Sequence, residues 1–254
     1  AHNQLFKHMR REVLRRIGDE TSSGTKSSLD ELIVQAWRTN ASPRDPHRIL
    51  ANLPCPLYVT TNLSRVLEAA LKDANVEARS AVCHWNDYYD RSPSPGELSP
   101  EKPLVYHPFG RLDIPESVVV TEDEYFDYLI ATAMSDDDVD KAVRATLNRS
   151  ALMFLGFQLT EWNLRVLFRS IMRSGGQSGR KRFTHVAVQV DPNQPGIAEP
   201  DRVYAYLQRF FEKQFSITIF RGTAAEFIDT LVERWQETYG EDLTAQRAKW
   251  SREG

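Results

Sequence analysis

From Pro56 onward, short apolar runs rich in β-branched and aromatic residues alternate with amphipathic stretches that open on helix-capping residues. LYVTT (57–61) leads into NLSRVLEAALKDA, which reads as a helix from Asn62, and LVYHPF (104–109) runs up to Gly110. SVVV (117–120) meets a capping box at Thr121–Glu124 that opens EDEYFDYLIATAM. ALMFLGF (151–157) precedes EWNLRVLFRSIM, and THVAVQVD (184–191) precedes DRVYAYLQRFFEKQ. SITIFRG (216–222) meets a second such box, Thr223–Glu226, before EFIDTLVERWQ. Near-continuous apolar strands separated by capped helices predict parallel pairing, right-handed crossovers and helices on both sheet faces. The fold class is therefore α/β, with a Rossmann-like parallel sheet.

The rest of the chain fits a single domain. Its 254 residues are enough to bury about 70–75% of the unfolded surface without staples. Two polar breaks, Gly18–Ser28 and the proline-rich Arg91–Pro103, read as loops and separate no two core-sized pieces. Upstream, Leu5, Met9, Val13 and Ile17 form a helical stripe among arginines, and Ser28-Leu-Asp-Glu31 is a capping box for a second helix. With 32 basic against 35 acidic residues, the chain lacks the basic excess of a dedicated nucleic-acid surface. Cys55 and Cys83 are too few for a disulfide framework or a four-cysteine zinc module, so the expected setting is the reducing cytoplasm, with no metal. No apolar run reaches the roughly 20 residues of a membrane span.

In an open parallel sheet, ligands bind beyond the carboxyl ends of strands, where helix N-termini offer free N–H groups. Three junctions combine a small residue with a polar side chain there: Thr60-Thr61-Asn62, Gly156-Phe157-Gln158 and Gly222-Thr223. Asn62 and Thr223 also suit helix caps, and Gly156 a simple turn. Alone, these junctions point to a nucleotide or another phosphorylated ligand. Other polar residues read as structural. His47 follows Pro46 in the first turn of a short helix. Cys83 and His84 are neighbours on extended chain and face opposite ways. Asp136, Asp137, Asp138 and Asp140 compensate a helix dipole. Phe210, Phe211 and Phe215 belong to the core.

Taken together, DPHRILANLPCPLYVTTNLSRVLEAAL (45–71), PLVYHPFGRLDIPESVVVTEDEYFDYL (103–129), LMFLGFQLTEWNLRVLFRSI (152–171) and ITIFRGTAAEF (217–227) resemble the sirtuin-like domain of prokaryotic defence proteins. The resemblance covers about residues 45–235. It implies a Rossmann-like domain that takes NAD as substrate, an NAD+ glycohydrolase acting in antiphage immunity, fused to or associated with a sensor module. Separately, the apolar stripe Leu5, Met9, Val13 and Ile17 on a terminal helix must be covered, which predicts a homo-oligomer or docking on a neighbouring domain. Deacetylation is disfavoured, because two cysteines cannot supply the zinc module of deacetylating sirtuins. Asn62 falls on the family's catalytic asparagine, and Thr60 and Thr61 on the ribose and nicotinamide end. Gly156, Phe157 and Gln158 fall near the adenosine ribose, with Gln158 in place of the usual serine. Gly222 and Thr223 match the segment over the adenine.

There are two departures from the family pattern. The family's Gly-Ala-Gly-x-Ser phosphate loop is absent, so it is expected upstream of residue 1 in the full-length protein. The catalytic His-Gly reads Phe109-Gly110, with His107 two residues earlier. On a continuing strand His107 shares a face with position 109 at roughly 6–7 Å, which makes it the candidate base. On this reading residues 1–240 are one sirtuin-like domain, and 241–254 are a helical tail or linker to a further module. The altered His-Gly also leaves a second function open, a non-catalytic sensor or scaffold that binds NAD or ADP-ribose and regulates a fused partner.

Overall fold

The structure is a computed structural model, and it describes residues 2–17, 27–134, 137–156, 185–190, 199–215, 217–240 and 243. Residues 1–142 with 244–254 form one compact unit, and residues 143–243 form a second. Most of the predicted Gly18–Ser28 loop, the predicted helix EWNLRVLFRSIM and most of the C-terminal tail lie outside the described residues.

In the first unit, α1 (His2–Ile17) packs against α2 (Leu29–Asn40). The capping box that starts α2 is complete: the Ser28 hydroxyl accepts from the Glu31 N–H at 3.2 Å, and the Glu31 carboxylate accepts from the Ser28 N–H at 2.7 Å. Asp45 caps α3 (Pro46–Ala51), whose first residue is the proline that needs no donor there. Three parallel strands follow in the order β1-β3-β2: β1 (Leu57–Val59), β2 (Arg79–Val82) and β3 (Leu104–His107). The central strand β3 is buried at all four positions, as a strand covered on both faces must be. On one face Val105 and Tyr58 pack with Leu67, Ala70 and Leu71 of α4 (Val66–Asp73). Tyr106 alternates to the other face, where its hydroxyl donates to Asp140 in the first turn of α6 (Asp138–Arg149) at 2.6 Å. The Thr121–Glu124 capping box also forms, the two residues bonding reciprocally at the start of α5 (Glu122–Met134).

Three expectations need correction. SVVV is not a strand: Ser117 closes a short 3-10 turn (Pro115–Ser117), and the valines run on irregularly with Val118 fully buried. Apolarity there reflects burial rather than ladder pairing. The strand that does pair is β2, whose Arg79 and Ser80 gave it too polar a pattern to be read as one. The helix after β1 starts at Val66, not at Asn62, because Asn62 is held in a turn of its own.

In the second unit β4 (Met153–Leu155), β5 (His185–Val190) and β6 (Ile217–Arg221) also pair in parallel, with β5 central. Helix α7 (Pro200–Phe215) lies against β6 and α8 (Ala224–Tyr239) against β5, with Phe211 and Ile228 buried. Among the described residues no helix is long and apolar enough to cross a membrane.

Candidate active site

The chain leaves β1 through a turn fixed from several sides. Thr60 continues the ladder, donating its N–H to the Tyr106 carbonyl at 3.0 Å, and its hydroxyl accepts from the Asn62 N–H at 3.1 Å. The Asn62 Oδ1 accepts from the Ser64 N–H at 3.1 Å and from the Ser64 hydroxyl at 3.0 Å. A backbone N–H must meet an oxygen, so these bonds settle which way the carboxamide points. Its NH2 has no hydrogen-bond partner among the described residues, while Thr61 and Asn62 are exposed. The turn thus presents a fixed carboxamide donor and two threonines at the carboxyl end of β1, where parallel sheets bind ligands.

Beneath it lies His107, the last residue of β3, which is fully buried. Its Nδ1 meets the Asn62 carbonyl oxygen at 3.0 Å, and its Nε2 meets Glu68 Oε1 on α4 at 2.8 Å. Both partners accept, so both contacts are satisfied when each ring nitrogen carries a proton. The strand ends here. The Phe109 ring meets Tyr125 and Tyr128 of α5, at 5.9 and 5.3 Å between centroids, and does not share the neighbours of His107. The i, i+2 rule that places positions 107 and 109 on one face holds only while the strand continues, and the turn at Pro108 interrupts it.

The Glu68 carboxylate is itself positioned. Its Oε1 also accepts from the Ser80 hydroxyl of β2 at 2.7 Å, and Ser80 accepts from Arg111 at 2.6 Å. Arg111 is paired with Asp113 at 2.5 Å. Burial pushes the Glu68 carboxyl up, but the bonds from His107 and Ser80, with the His107 charge, outweigh it and hold the carboxyl below its ordinary 4.5. A carboxyl depressed in the fold stabilises it above the ordinary value and loses that contribution as pH falls through its folded value. Wild type is therefore expected to melt higher than Glu68→Gln at neutral pH, with the gap closing below pH 4.5. Thermal melts across that range check this, and a gap independent of pH would contradict it. On the other face, burial pushes Tyr106 and Tyr128 well up, so they stay protonated.

Sequence reasoning missed Glu68, Ser80, Arg111 and Asp30. Glu68 gave one signal, a lone carboxylate inside the apolar run VLEAAL. Asp30 looked like part of a capping box. In fact it is 1% exposed, and its carboxylate accepts from the Arg65 N–H at 2.8 Å and from Arg65 Nε at 2.7 Å, tying α2 to the entrance of α4.

The remaining candidates belong to the second unit. Gly156 follows β4 and Gly222 follows β6, so both stand at the carboxyl edge of that sheet, on either side of β5. Thr223 is the N-cap of α8. Its hydroxyl accepts from the Glu226 N–H at 3.2 Å, and the Glu226 carboxylate accepts from the Thr223 N–H at 2.7 Å. Thr223→Ala is expected to destabilise the fold by about 1 kcal/mol, measured by chemical denaturation, and no change would show the cap to be dispensable. Phe157 and Gln158 lie outside the described residues.

Parallel strands, helices packed against them and polar turns at the strands' carboxyl ends define an α/β protein built on parallel sheets. The chain belongs to the SIR2-like domain family, whose model matches residues 56–216. It is also similar to proteins named NAD(+) hydrolase ThsA. With that of Bacillus cereus (strain MSX-D12) it is 26% identical over 187 residues, 72% of this chain and 36% of the relative. With that of Enterococcus faecium it is 26% identical over 156 residues, 59% of this chain and 29% of the relative. With that of Acinetobacter baumannii (strain 532279) it is 27% identical over 163 residues, 62% and 30% respectively. The chain spans about a third of the length of these curated relatives.

Proposed function

We propose that this chain is an NAD+-cleaving domain that hydrolyses the nicotinamide–ribose bond, releasing nicotinamide and ADP-ribose. The observation that carries this reading is the Asn62 turn, with an exposed carboxamide above and a buried histidine holding its backbone below. The names of the relatives support it. Nicotinamide leaves as a neutral ring from a cationic nitrogen, so its departure needs no general acid. The barrier lies in the oxocarbenium-like ribose that develops as the bond breaks. Oriented dipoles, a held water and fixed ribose hydroxyls lower that barrier. We assign the first task to the Asn62 carboxamide, with Thr60 and Thr61 on the ribose and nicotinamide side. His107 acts from below, by fixing the Asn62 carbonyl. Gly156, Phe157, Gln158, Gly222 and Thr223 are assigned to the adenosine end. The wider setting is assigned with it: defence against phage and a linked sensor module from the family resemblance, a reducing cytoplasm from the cysteine usage, and homo-oligomers from the apolar stripe of the N-terminal helix.

The test is nicotinamide release from NAD+ by the intact protein, followed by chromatography under conditions that switch it on. Release with stoichiometric ADP-ribose is expected. Tight NAD+ binding without release would instead favour a sensor or scaffold module, a reading to which Phe109 before Gly110 lends weight.

A further inference from the structure

We propose that Glu68 is a positioning residue for this site: through His107 it fixes the orientation of the Asn62 turn. The proposal rests on the cleavage reading above for its kinetic tests, and on geometry for its argument.

His107 is fully buried between two acceptors, the Asn62 carbonyl at 3.0 Å and Glu68 Oε1 at 2.8 Å. A neutral imidazole has one donor and one acceptor nitrogen. In either neutral tautomer one ring lone pair would face an oxygen lone pair at hydrogen-bond distance, and one contact would be lost. The doubly protonated ring keeps both contacts, the one to the carboxylate being charge-assisted. Glu68 is the only anion within salt-bridge distance of His107 among the described residues. The other charges around it come from each neighbouring element. Arg111, beyond β3, approaches Glu68 at 4.0 Å and is neutralised by Asp113. Arg65, at the mouth of α4, is neutralised by Asp30 of α2. Ser80 of β2 holds Glu68 Oε1 in place at 2.7 Å.

The arrangement is costly in a way that packing does not explain. Glu68 Oε2 is buried without a hydrogen-bond partner among the described residues, a penalty that an apolar residue at this position in α4 would avoid. What the carboxylate supplies is charge beneath His107, and what His107 supplies is a charge-assisted bond to the peptide that carries the Asn62 side chain.

The experiment compares the intact wild-type protein with Glu68→Gln and Ser80→Ala. Nicotinamide release is measured as a function of NAD+ concentration, below each variant's melting temperature. In Glu68→Gln, kcat is expected to fall about tenfold, the scale of one charge-assisted hydrogen bond, with KM within about twofold. Ser80→Ala is expected to lower kcat in the same way by less. A role in stability alone would leave the kcat of the folded variant unchanged, so a folded Glu68→Gln with wild-type kcat overturns the proposal. If Glu68→Gln does not fold, histidine-labelled 15N spectra of the wild type decide. Protonation of both His107 ring nitrogens at neutral pH supports the linkage, and a single protonated nitrogen overturns it. These spectra need no turnover, so a wild type that cleaves no NAD+ defeats the functional reading and leaves the Glu68 linkage to be judged on them.

Discussion

Replacing Asn62 by alanine is expected to lower the rate of nicotinamide release at least about a hundredfold, the scale of losing one preorganised dipole at a charge-developing centre. Its Oδ1 is already committed to Ser64, so what the side chain offers outward is its NH2. A group that is fixed before substrate arrives costs nothing to orient at the moment of reaction, so its loss should appear in kcat more than in KM. Alanine also removes the turn's internal bonds. Asn62→Asp separates the two effects, because a carboxylate still accepts from Ser64 but can no longer donate outward. Both variants are expected to be impaired. If Asn62→Asp cleaves NAD+ within about threefold of wild type, the outward NH2 has no part in the reaction, whatever alanine does.

The same turn shows what the sequence could and could not reveal. Helix caps at Ser28, Thr121 and Thr223 were legible because each is a contract between residues three apart. Parallel pairing was legible too, since a continuous apolar run such as LVY, with no polar alternation, suits a strand covered on both faces. Strand β2 was not, because Arg79 and Ser80 are polar for partners far along the chain: Arg79 donates to the carbonyls of Glu97 and Lys102, and Ser80 to Glu68. Asn62 and the threonines could be picked out by type and place, whereas the support beneath them could not. His107 meets Asn62 across 45 positions and Glu68 across 39, and Arg65 meets Asp30 across 35. Such pairings follow from which strand lies beside which, and neither periodicity nor local chemistry encodes that.

The largest loss of stability is expected at Gly110. Its φ of +86° is one that side chains rarely adopt, and a Cβ there would lie 2.2 Å from the Ser117 carbonyl oxygen and 2.6 Å from the Val118 nitrogen. These are backbone atoms, and they cannot retreat cheaply. The Ser117 carbonyl accepts from Trp85 Nε1 at 2.7 Å, and the Ser117 hydroxyl accepts from the Arg111 N–H at 3.0 Å while donating to the Ile114 carbonyl at 2.6 Å. The Val119 N–H donates to the Phe109 carbonyl at 3.1 Å, closing the turn from the other side. Gly110→Ala therefore combines backbone strain with overpacking, and a cost of about 3–5 kcal/mol is expected. In a chain of this size that is a fall in Tm of about 10 °C. Gly96→Ala isolates the first term. Gly96 also has a positive φ, +62°, but the nearest atom to its Cβ position is a flexible Arg79 nitrogen at 3.9 Å, so about 1 kcal/mol is expected there. Equal melting temperatures for the two variants would show that the Ser117 contact yields easily. The Gly110 turn also carries Arg111, whose guanidinium holds Ser80 against Glu68. Displacing this turn should slow nicotinamide release even at temperatures where the variant stays folded, because the same backbone that closes the core also aligns the charges under Asn62.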